Sequence, residues 1–504
     1  MRVLIDTNIF IHREDHKVIP SNLQELSKIL NDNGVSQLIH PLSIQEIEGD
    51  KDEDRKRVCL SKIKAYPILD SPPTFDDDAK FINIVGESTS PHEIVDKNIL
   101  YCVKKDAVDF LITEDQGIHK KAETLGLEDR VFTIDDALDF FGQQFLDIDV
   151  QRPYAIQQIP IHNLSFNDRI LESLKEDYGA DFERWWKKIS REGRKAWVYF
   201  KSENELGAIL ILKIEDEAIE GAVPNLPSKK RVKICTLKVT QIGFKIGETF
   251  IKMSIDCAIK HDIDEIYLTH FSKEQDILLA LVGAYGFEKK AERRGERIYI
   301  KNTRPDRRID DHLELNAKYY PSFYDGEEVN KFIVPIQPQY HKRLFPEFKH
   351  EKEGVKQVTL AEFFSWPREL NVQGNTIKKA YISHALTKRI SRGDILLFYR
   401  SQDLRSVTSI GVVESVQTSL TNPDDITRYV GKRTVYSPRE IQELAQKPTI
   451  VILFTINFHL QNPLNHEELA EIGISTPMTI NLVDHDKYLN VKQRGGIDER
   501  FTFN

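Results

Sequence analysis

Four acidic residues in the N-terminal segment stand where a parallel sheet would bring them together. Asp6 ends the apolar run VLID, and Asp115 follows a second run, DFLIT. Glu46 lies early in the helix predicted after SQLIHP, and Asp96 begins the amphipathic stretch VDKNILYCV. Ligands of open parallel sheets bind beyond the carboxyl ends of the strands, so we expect all four acids to face one crevice.

Carboxylates that converge on one crevice repel one another unless a cation is bound among them. Oxygen ligands of this kind suit Mg²⁺ or Mn²⁺, which activate water and offset the charge of the leaving oxygen in phosphodiester cleavage. For any one acid, a role as a helix cap or turn residue is the commoner explanation. Only the set as a whole favours a metal-dependent nuclease.

The same stretch resembles a known family. MRVLIDTNIFIH, the spacing of Ser43 and Glu46, VDKNIL and DFLITEDQGI together resemble a PIN-domain ribonuclease over residues 1–148. Thr113 would then lie beside the metal, whereas Asp109 precedes its strand and is expected to be structural. The resemblance implies that metal ligation and catalysis belong to Asp6, Glu46, Asp96 and Asp115.

Length and composition indicate several globular domains. At about 150 residues per domain, a chain of 504 residues suggests three. The net charge of -9 gives no overall attraction to nucleic acid. The cysteines form no CxxC pair, and no apolar run approaches the roughly 18 residues of a membrane span. We therefore expect a cytoplasmic protein without a secretory leader, a disulfide framework or a membrane segment.

The pattern of apolar residues predicts three different architectures along the chain. Residues 1–148 alternate buried strands with helices, which predicts an α/β sandwich with a parallel sheet. Residues 153–302 are richer in strands and predict an α+β domain. A charged, proline-containing linker is expected at 303–329, and short strands over 330–504 predict a small β-barrel.

The central segment contains a second candidate site. The predicted strand CTLKV leads into a turn that holds Gly243, and a helix is predicted from Gly247 to Lys260. Such a turn presents backbone N–H groups and a helix N-terminus to an anion such as a pyrophosphate. An ordinary junction between a strand and a helix is the alternative.

The order of elements in this segment resembles the GNAT acyltransferase fold, whose cofactor is acetyl-CoA. The resemblance implies that Leu237 and Val239 offer backbone groups to the pantetheine arm. Ile242 and Val282 depart from the family's pattern, and Val282 stands where a tyrosine often serves as general acid. Cofactor binding is therefore favoured over catalysis, and an acyl-CoA sensor is the alternative. The amides implied to hold the pyrophosphate belong to the segment that contains Gly243, Lys245, Ile246, Gly247 and Glu248.

The C-terminal segment resembles the PUA-like superfamily of RNA-binding barrels, including its ASCH and EVE branches. The resemblance is carried by AYISHALTKRISRGDILLFYRSQDLRSVTSIGVVESV, although the GxKxxExR pattern of many ASCH domains is absent. Three aromatic residues, Trp366, Tyr381 and Tyr399, are candidates for stacking on a base. Aromatic residues on barrel strands more often belong to the core, which is the alternative.

Together these observations predict a ribonuclease joined to an acetyl-CoA-dependent acyltransferase, acting on RNA and in particular on transfer RNA. A toxin or antiphage role and a homodimer are compatible with this prediction. One alternative is a non-catalytic RNA-binding regulator with acetyl-CoA as its ligand. Another is a protein N-acetyltransferase that modifies its own nuclease domain.

Overall fold

The computed structural model describes residues 1–14, 21–50, 52–63, 66–86, 90–145, 155–202, 205–240, 246–271, 277–305, 309, 311–348, 370–371 and 377–504. The chain is a multidomain α/β protein with several sheets. It forms two compact units where the sequence suggested three domains. Unit 1 comprises Met1–Gln151 and Leu420–Lys447, and unit 2 comprises Arg152–Ser419 and Pro448–Asn504.

Unit 1 is built on a parallel sheet, which confirms the α/β expectation for this part of the chain. The strands are β1 (Arg2–Ile5), β2 (Ser36–Ile39), β3 (Phe110–Ile112) and β4 (Val131–Phe132), in the spatial order β2-β1-β3-β4. The helices are α1 (Thr7–Glu14), α2 (Ser21–Asp32), α3 (Pro41–Glu48), α4 (Glu53–Ile63), α5 (Ala79–Val85), α6 (Pro91–Lys104), α7 (Gln116–Thr124) and α8 (Ile134–Phe145), with a 3-10 turn at Glu128–Arg130.

Both faces of this sheet are covered by apolar side chains. Val3 and Ile5 pack in one core cluster, and Leu4 between them packs in another. A parallel sheet buried on both faces requires continuous apolar strands, which explains the runs VLI and FLI. The polar residues that follow each run therefore mark the carboxyl edge of the sheet.

Unit 2 contains a large mixed sheet in the order β10-β11-β9-β8-β7-β6-β5-β14. The strands of residues 155–302 are β5 (Ala155–Pro160), β6 (Lys195–Ser202), β7 (Glu205–Glu215), β8 (Arg231–Val239), β9 (Glu265–His270), β10 (Glu288–Arg293) and β11 (Glu296–Asn302). The helices are α9 (Glu172–Tyr178), α10 (Ala180–Arg191), α11 (Ile246–Lys260) and α12 (Ile277–Ala284), with 3-10 turns at Ile161–Asn163 and Arg169–Leu171.

The helical segment before β6 is broken in two at Gly179. Gly179 adopts φ 55° between α9 and α10. This backbone conformation is favourable for glycine and interrupts a helix. The break places Tyr178 at the end of α9, where its side chain contacts Glu296 at the start of β11 and Phe271 just after β9.

The second part of unit 2 contains another sheet, in the order β15-β18-β17-β16-β13-β19. Along the chain, the elements of residues 312–420 are α13 (His312–Lys318), β12 (Phe323–Tyr324), β13 (Lys331–Ile336), α14 (Pro338–Leu344), β14 (Leu370–Asn371), β15 (Lys378–Ser383), β16 (Ile395–Arg400) and β17 (Ser406–Leu420). Of these, β14 belongs to the large sheet. Two helices of unit 1 follow, α15 (Pro423–Val430) and α16 (Pro438–Leu444), with a 3-10 turn at Gly431–Arg433 between them. The chain ends with β18 (Thr449–Asn465), α17 (His466–Glu471), β19 (Asn481–Val483), α18 (His485–Gly495), a 3-10 turn at Glu499–Phe501 and β20 (Thr502–Phe503).

This second sheet differs from the predicted small β-barrel. Its outer strands, β15 and β19, do not pair with each other in the described part of the chain. β20 pairs with β12 in a separate short ladder. The predicted strands of this region are present, but their order leaves the sheet open.

The described residues between 303 and 329 make contacts within unit 2, where the sequence predicted a linker. The Arg304 guanidinium pairs with Asp264 at 2.7 Å, and Ser322 donates to the Thr303 carbonyl at 2.6 Å. A Cβ atom added to Gly286 would lie 2.0 Å from the Lys318 carbonyl oxygen. These contacts bind the segment to the large sheet, and charge and proline content alone did not reveal them.

The segment between β17 and β18 belongs to unit 1. The Arg428 guanidinium donates to Oδ1 of Asp109, and Nε of Arg433 donates to Oδ2 of Asp129 at 2.7 Å. Asp109 also accepts a 2.7 Å hydrogen bond from the Arg2 amide, so its expected structural role is confirmed.

Every helix within the described ranges is too short or too polar to span a bilayer.

Candidate functional sites

The carboxyl edge of the unit 1 sheet holds Asp6 in a fixed position. Asp6 directly follows β1 and is 4% exposed. Its Oδ1 accepts from the Thr7 amide at 2.7 Å, and its Oδ2 accepts from the Thr113 hydroxyl at 2.6 Å. Thr113 directly follows β3, which is the parallel neighbour of β1. Because Ile5 pairs with Ile112, the next residues of the two strands, Asp6 and Thr113, lie side by side. Two adjacent strand ends therefore orient this carboxylate.

Glu46 and Asp115 are connected to the same edge through threonine hydroxyls. Oε2 of Glu46 accepts from the Thr7 hydroxyl at 2.7 Å, and its Oε1 lies 2.7 Å from Nδ1 of His92. Asp115 caps α7 by accepting from the Ile118 amide, and its own amide donates to the Thr113 hydroxyl at 2.9 Å. Thr113 thus joins Asp6 to Asp115, which agrees with its predicted place beside the site.

The four acids lie close enough together for the charge of one to affect the pKa of another. Burial raises the pKa of Asp6 to about 6, against the hydrogen bonds from Thr113 and Thr7, and the charges of Glu46 and Asp115 add to the rise. Burial also raises the pKa of Asp96 to about 7, with further contributions from the charges of Asp115 and Asp6. Asp96 lies on α6 and has a nearby cation in Lys121. The four predicted acids therefore interact electrostatically.

The described residues of this edge do not form a preformed set of three or more metal ligands. Among the described residues, no three His, Cys, Asp or Glu side chains lie close enough together to hold one metal. The expectation of four direct ligands therefore lacks support. Mg²⁺ commonly binds through one or two carboxylates and keeps several waters, and this arrangement suits the residues present. Buried atoms without hydrogen-bond partners flank the acids in sequence, namely Oδ1 of Asn8 and Oγ of Ser43.

Unit 2 has a wedge between two parallel strands of its large sheet. β8 pairs with β9 from Arg231 to Ile234, opposite Glu265 to Leu268. Both strands continue past this point, to Val239 and His270, but no pairing between them follows in the described residues. The two strands therefore separate toward their carboxyl ends.

Leu237 and Val239 direct backbone groups into this wedge. The Thr240 amide donates to the Gly207 carbonyl at 2.8 Å, on the β7 side of β8. Because the pairing of β7 with β8 is antiparallel and places Ala208 opposite Val239, hydrogen bonding alternates between the two sides of β8. The N–H and C=O groups of Leu237 and Val239 therefore point toward β9.

Helix α11 begins at Ile246, after the end of β8. Gly243 and Lys245 lie outside the described residues. Gly247 is a position of close packing, since a Cβ there would lie 2.7 Å from Cδ2 of Leu281 on α12. Oε1 of Glu248 accepts from the Ile377 and Lys378 amides at 2.9 Å, so its side chain binds the start of β15. Ile246 is a core residue, and only the backbone amides of this first turn remain candidates for holding a phosphate.

The predicted RNA-stacking aromatic residues are corrected by their burial. Tyr381 is 4% exposed and donates its hydroxyl to the Pro335 carbonyl, and Tyr399 is 1% exposed. Both rings belong to the interior of the second sheet, where no base can reach them. Trp366 lies outside the described residues.

Two clusters escaped the sequence analysis because their members are far apart in the chain. In one, Oη of Tyr178 donates to Oε1 of Glu296 at 2.5 Å, across 118 positions. In the other, Glu347 lies 2.8 Å from Nζ of Lys252 and 3.2 Å from Nε2 of His459. No local motif marks either cluster. The nearest sequence indication is Gly179, whose break in the helix positions Tyr178.

Comparisons with known proteins give limited similarity. No model of a known protein family matches the sequence. No curated protein matches it either. One similar solved structure is ASCH from Zymomonas mobilis, at 10% identity over 32% of this chain and 94% of that one, with a TM-score of 0.24.

Two others are acetyltransferases. A GNAT-family acetyltransferase from Listeria monocytogenes is 16% identical over 29% of this chain and 99% of that one, with a TM-score of 0.19. The PaiA N-acetyltransferase from Thermoplasma acidophilum, in complex with coenzyme A, has the same identity and coverages and a TM-score of 0.22. Scores at this level establish neither family nor function, so the functional argument depends on the geometry of the sites.

Proposed function

We propose that unit 2 is an acetyl-CoA-dependent N-acyltransferase of the GNAT kind. The observation that supports this proposal is the wedge between β8 and β9, with the N-terminus of α11 following β8. An extended pantetheine arm can add to the unpaired edge of β8, as a strand adds to the edge of a sheet. The first-turn amides of α11 can then bind the pyrophosphate.

The residues of the wedge also suggest how transfer would be assisted. Acetyl-CoA supplies a thioester whose carbonyl carbon an amine can attack. A backbone N–H of β8, such as that of Val239, would stabilise the oxyanion that develops on the carbonyl. Tyr285 is 6% exposed and Val282 is fully buried, and both pack in the core. A valine has no proton to donate and Tyr285 is held in the core, so neither residue is proposed as the general acid.

One position of β8 tests this proposal with an internal control. Val239→Pro removes the N–H that faces the wedge and leaves the hydrogen bonds to β7 in place, whereas Val239→Ala keeps the N–H. In calorimetric titrations with acetyl-CoA, we expect wild type and Val239→Ala to bind and Val239→Pro to bind at least about 10-fold more weakly. Equal affinities in all three proteins, or no binding by the wild type, would contradict the proposal.

A second function is proposed for unit 1, metal-dependent cleavage of RNA in the manner of a PIN-domain ribonuclease. The supporting observation is that the hydroxyls of Thr7 and Thr113 connect Glu46, Asp6 and Asp115 at one sheet edge. The charges of Asp115 and Asp6 also raise the pKa of Asp96. Mg²⁺ or Mn²⁺ bound there would supply activated water and charge neutralisation. The protein side chains would hold the cation, and Thr113 and Thr7 would keep the carboxylates in position.

Cleavage is tested by incubating the chain with total RNA and Mn²⁺ or Mg²⁺, with and without chelator. We expect chelator-sensitive cleavage that Asp6→Asn abolishes and that Asp77→Asn, an exposed acid on the same unit, leaves unchanged. Intact RNA under all conditions would instead support the non-catalytic regulator. Fragmentation of transfer RNA ahead of other RNAs would support transfer RNA as the substrate.

The remaining parts of the proposal depend on sequence resemblance. The second sheet of unit 2 is proposed as an RNA-binding element like that of PUA and ASCH domains, without a contribution from Tyr381 or Tyr399. A cytoplasmic location is proposed from the four scattered cysteines, which are free thiols. A homodimer and a toxin or antiphage role are compatible with the combination of functions proposed here. Acetylation of its own nuclease domain is an alternative that mass spectrometry of the chain after incubation with acetyl-CoA distinguishes.

A further inference from the structure

The direction from which an acyl acceptor approaches follows from the two faces of the large sheet. α11 packs with Leu210 and Leu268 on one face. Phe182 and Trp186 of α10 pack with Ile209 on the opposite face. A cofactor bound at the start of α11 approaches the wedge from the first face. The acceptor must therefore enter from the second face, which α9 and α10 cover.

Two polar side chains, those of Thr269 and Glu296, lie on this second face beyond the last paired residues of β8 and β9, at the open end of the wedge. Thr269 and Tyr267 share a face of β9, and Tyr267 packs with Ile298 of β11. Glu296 opens β11 and shares the face of Ile298 by strand alternation. Arg297 pairs with His270, so Glu296 lies beside the carboxyl end of β9.

Tyr178 joins these residues into one cluster. Its hydroxyl donates to Oε1 of Glu296 at 2.5 Å and is also hydrogen-bonded by the Thr269 side chain. Its ring centroid lies 5.2 Å from that of Phe271, the residue after β9. Glu296 is 7% exposed, and Nη2 of Arg293 lies 3.3 Å from its Oε2. Arg293 therefore donates to Oε2, and a carboxylate oxygen has a second lone pair that can accept from another donor.

We propose that Glu296 binds the ammonium group of a primary-amine acceptor and that Tyr178 is its positioning residue. This inference rests on the acyltransferase function proposed above. The Glu296 carboxylate accepts one proton from the ammonium, and the free amine attacks the thioester carbonyl carbon. The C–N bond forms and the C–S bond breaks. The thiolate takes up the second amine proton, which gives an amide and free coenzyme A, and Glu296 returns its proton to solvent.

The choice of an amine follows from the chemistry of the cluster. A buried carboxylate favours a cationic partner. The aromatic rings of Tyr178 and Phe271 lie next to the Glu296 carboxylate, and they favour an ammonium carried on an apolar chain. An ammonium would add a charged hydrogen bond to the one from Arg293, whereas a hydroxyl acceptor would bring no charge to this carboxylate. The site therefore discriminates between acceptors by charge.

The test measures thiol release from acetyl-CoA by the full chain with three amine probes. These are a tetrapeptide with a free N-terminus, an N-blocked lysine peptide and spermidine. For the probe that reacts best, we expect Glu296→Gln to raise the KM at least 10-fold and to lower kcat/KM about 100-fold. Tyr178→Phe should have a smaller effect of the same kind. The calorimetric Kd for acetyl-CoA should stay within twofold in both variants, which also shows that they are folded.

Glu292→Gln provides the matched control, because Glu292 is an exposed acid on the same hairpin, paired with Lys289. Its kinetics should equal those of the wild type. Unchanged kinetics in Glu296→Gln overturn the inference. So does a wild type that binds acetyl-CoA but releases thiol with none of the three amines, an outcome that leaves cofactor binding intact. A wild type that does not bind acetyl-CoA removes the proposed function and this inference together.

Discussion

The hydroxyl of Thr113 donates a 2.6 Å hydrogen bond to Oδ2 of Asp6 and accepts a 2.9 Å hydrogen bond from the Asp115 amide. One side chain thus connects two of the four acids across neighbouring strand ends. Its position after β3 follows from the parallel pairing of β3 with β1. The arrangement indicates that the orientation of these acids is built into the sheet edge.

Replacing Thr113 by valine keeps the side-chain shape and removes both of these hydrogen bonds. We expect metal-dependent RNA cleavage to fall about 10-fold or more, because residues that orient metal-binding groups commonly have effects of this size. The rate is measured at saturating Mn²⁺. Thr124→Val is the control, since Thr124 is an exposed residue of α7. An undiminished cleavage rate in Thr113→Val would contradict a role for Thr113 in orienting the acids.

The raised pKa of Asp96 predicts a dependence of stability on pH. Its folded value is about 7, against 3.8 for the free side chain, so the folded state holds the proton over a wider range. The stability that this proton provides is complete below pH 3.8 and is lost as the pH rises toward 7. The loss at pH 7 is about 2 kcal/mol after allowance for solvent screening.

Asp96→Asn removes this loss. We therefore expect the stability of the variant relative to wild type, measured by urea unfolding without divalent metal, to increase between pH 4 and pH 7. Saturating Mn²⁺ should reduce the difference at pH 7, because a bound cation favours the charged carboxylate. A difference that is constant with pH would show that Asp96 is not held in a charged, crowded environment.

The buried pair of Lys252 and Glu347 gives a test of packing between α11 and the second sheet. Lys252→Met leaves Glu347 buried without this partner, and we expect a loss of about 3 kcal/mol in the free energy of unfolding. Adding Glu347→Gln should restore most of the loss. Lys187→Met is the control, since its pair with Glu183 is exposed and is worth less than about 0.5 kcal/mol. Equal effects at the two lysines would contradict the buried role.

Two glycines on neighbouring helices should respond differently to alanine. A Cβ at Gly283 meets no atom within 4 Å, whereas a Cβ at Gly247 meets Leu281 at 2.7 Å. Gly283→Ala should stabilise the chain by about 0.5–1 kcal/mol through helix propensity. Gly247→Ala should not, because Leu281 must shift. Thermal unfolding measures both, and adding Leu281→Ala should let the Gly247 variant gain the helix-propensity benefit. Equal stabilisation by the two single variants would rule out close packing at Gly247.

Features determined by a few neighbouring residues, such as buried strands and the positions at their ends, could be predicted from the sequence. The apolar runs VLID and DFLIT predicted β1 and β3 directly, because buried strands need continuous or alternating apolar residues. The edge positions of Asp6 and Thr113 followed from the ends of those runs. The backbone direction of Leu237 and Val239 came from resemblance, and the pairing in the structure agrees with it.

Features set by contacts between distant segments could not be predicted. The pair Tyr178–Glu296 spans 118 positions, and the pair Arg428–Asp109 spans 319. Tyr399 was ambiguous between a binding surface and a core, since both favour aromatic residues on strands. Only the arrangement of neighbouring strands decides such cases.

The most direct test of the central claim is hydrogen exchange of the full chain with and without acetyl-CoA. The proposal predicts slower exchange at the amides of Leu237 and Val239 and in the first turn of α11, because these groups would bind the cofactor. In Val239→Pro the protection at α11 should weaken. Binding of acetyl-CoA that protects other regions and leaves these amides unchanged would contradict the proposed site in the wedge.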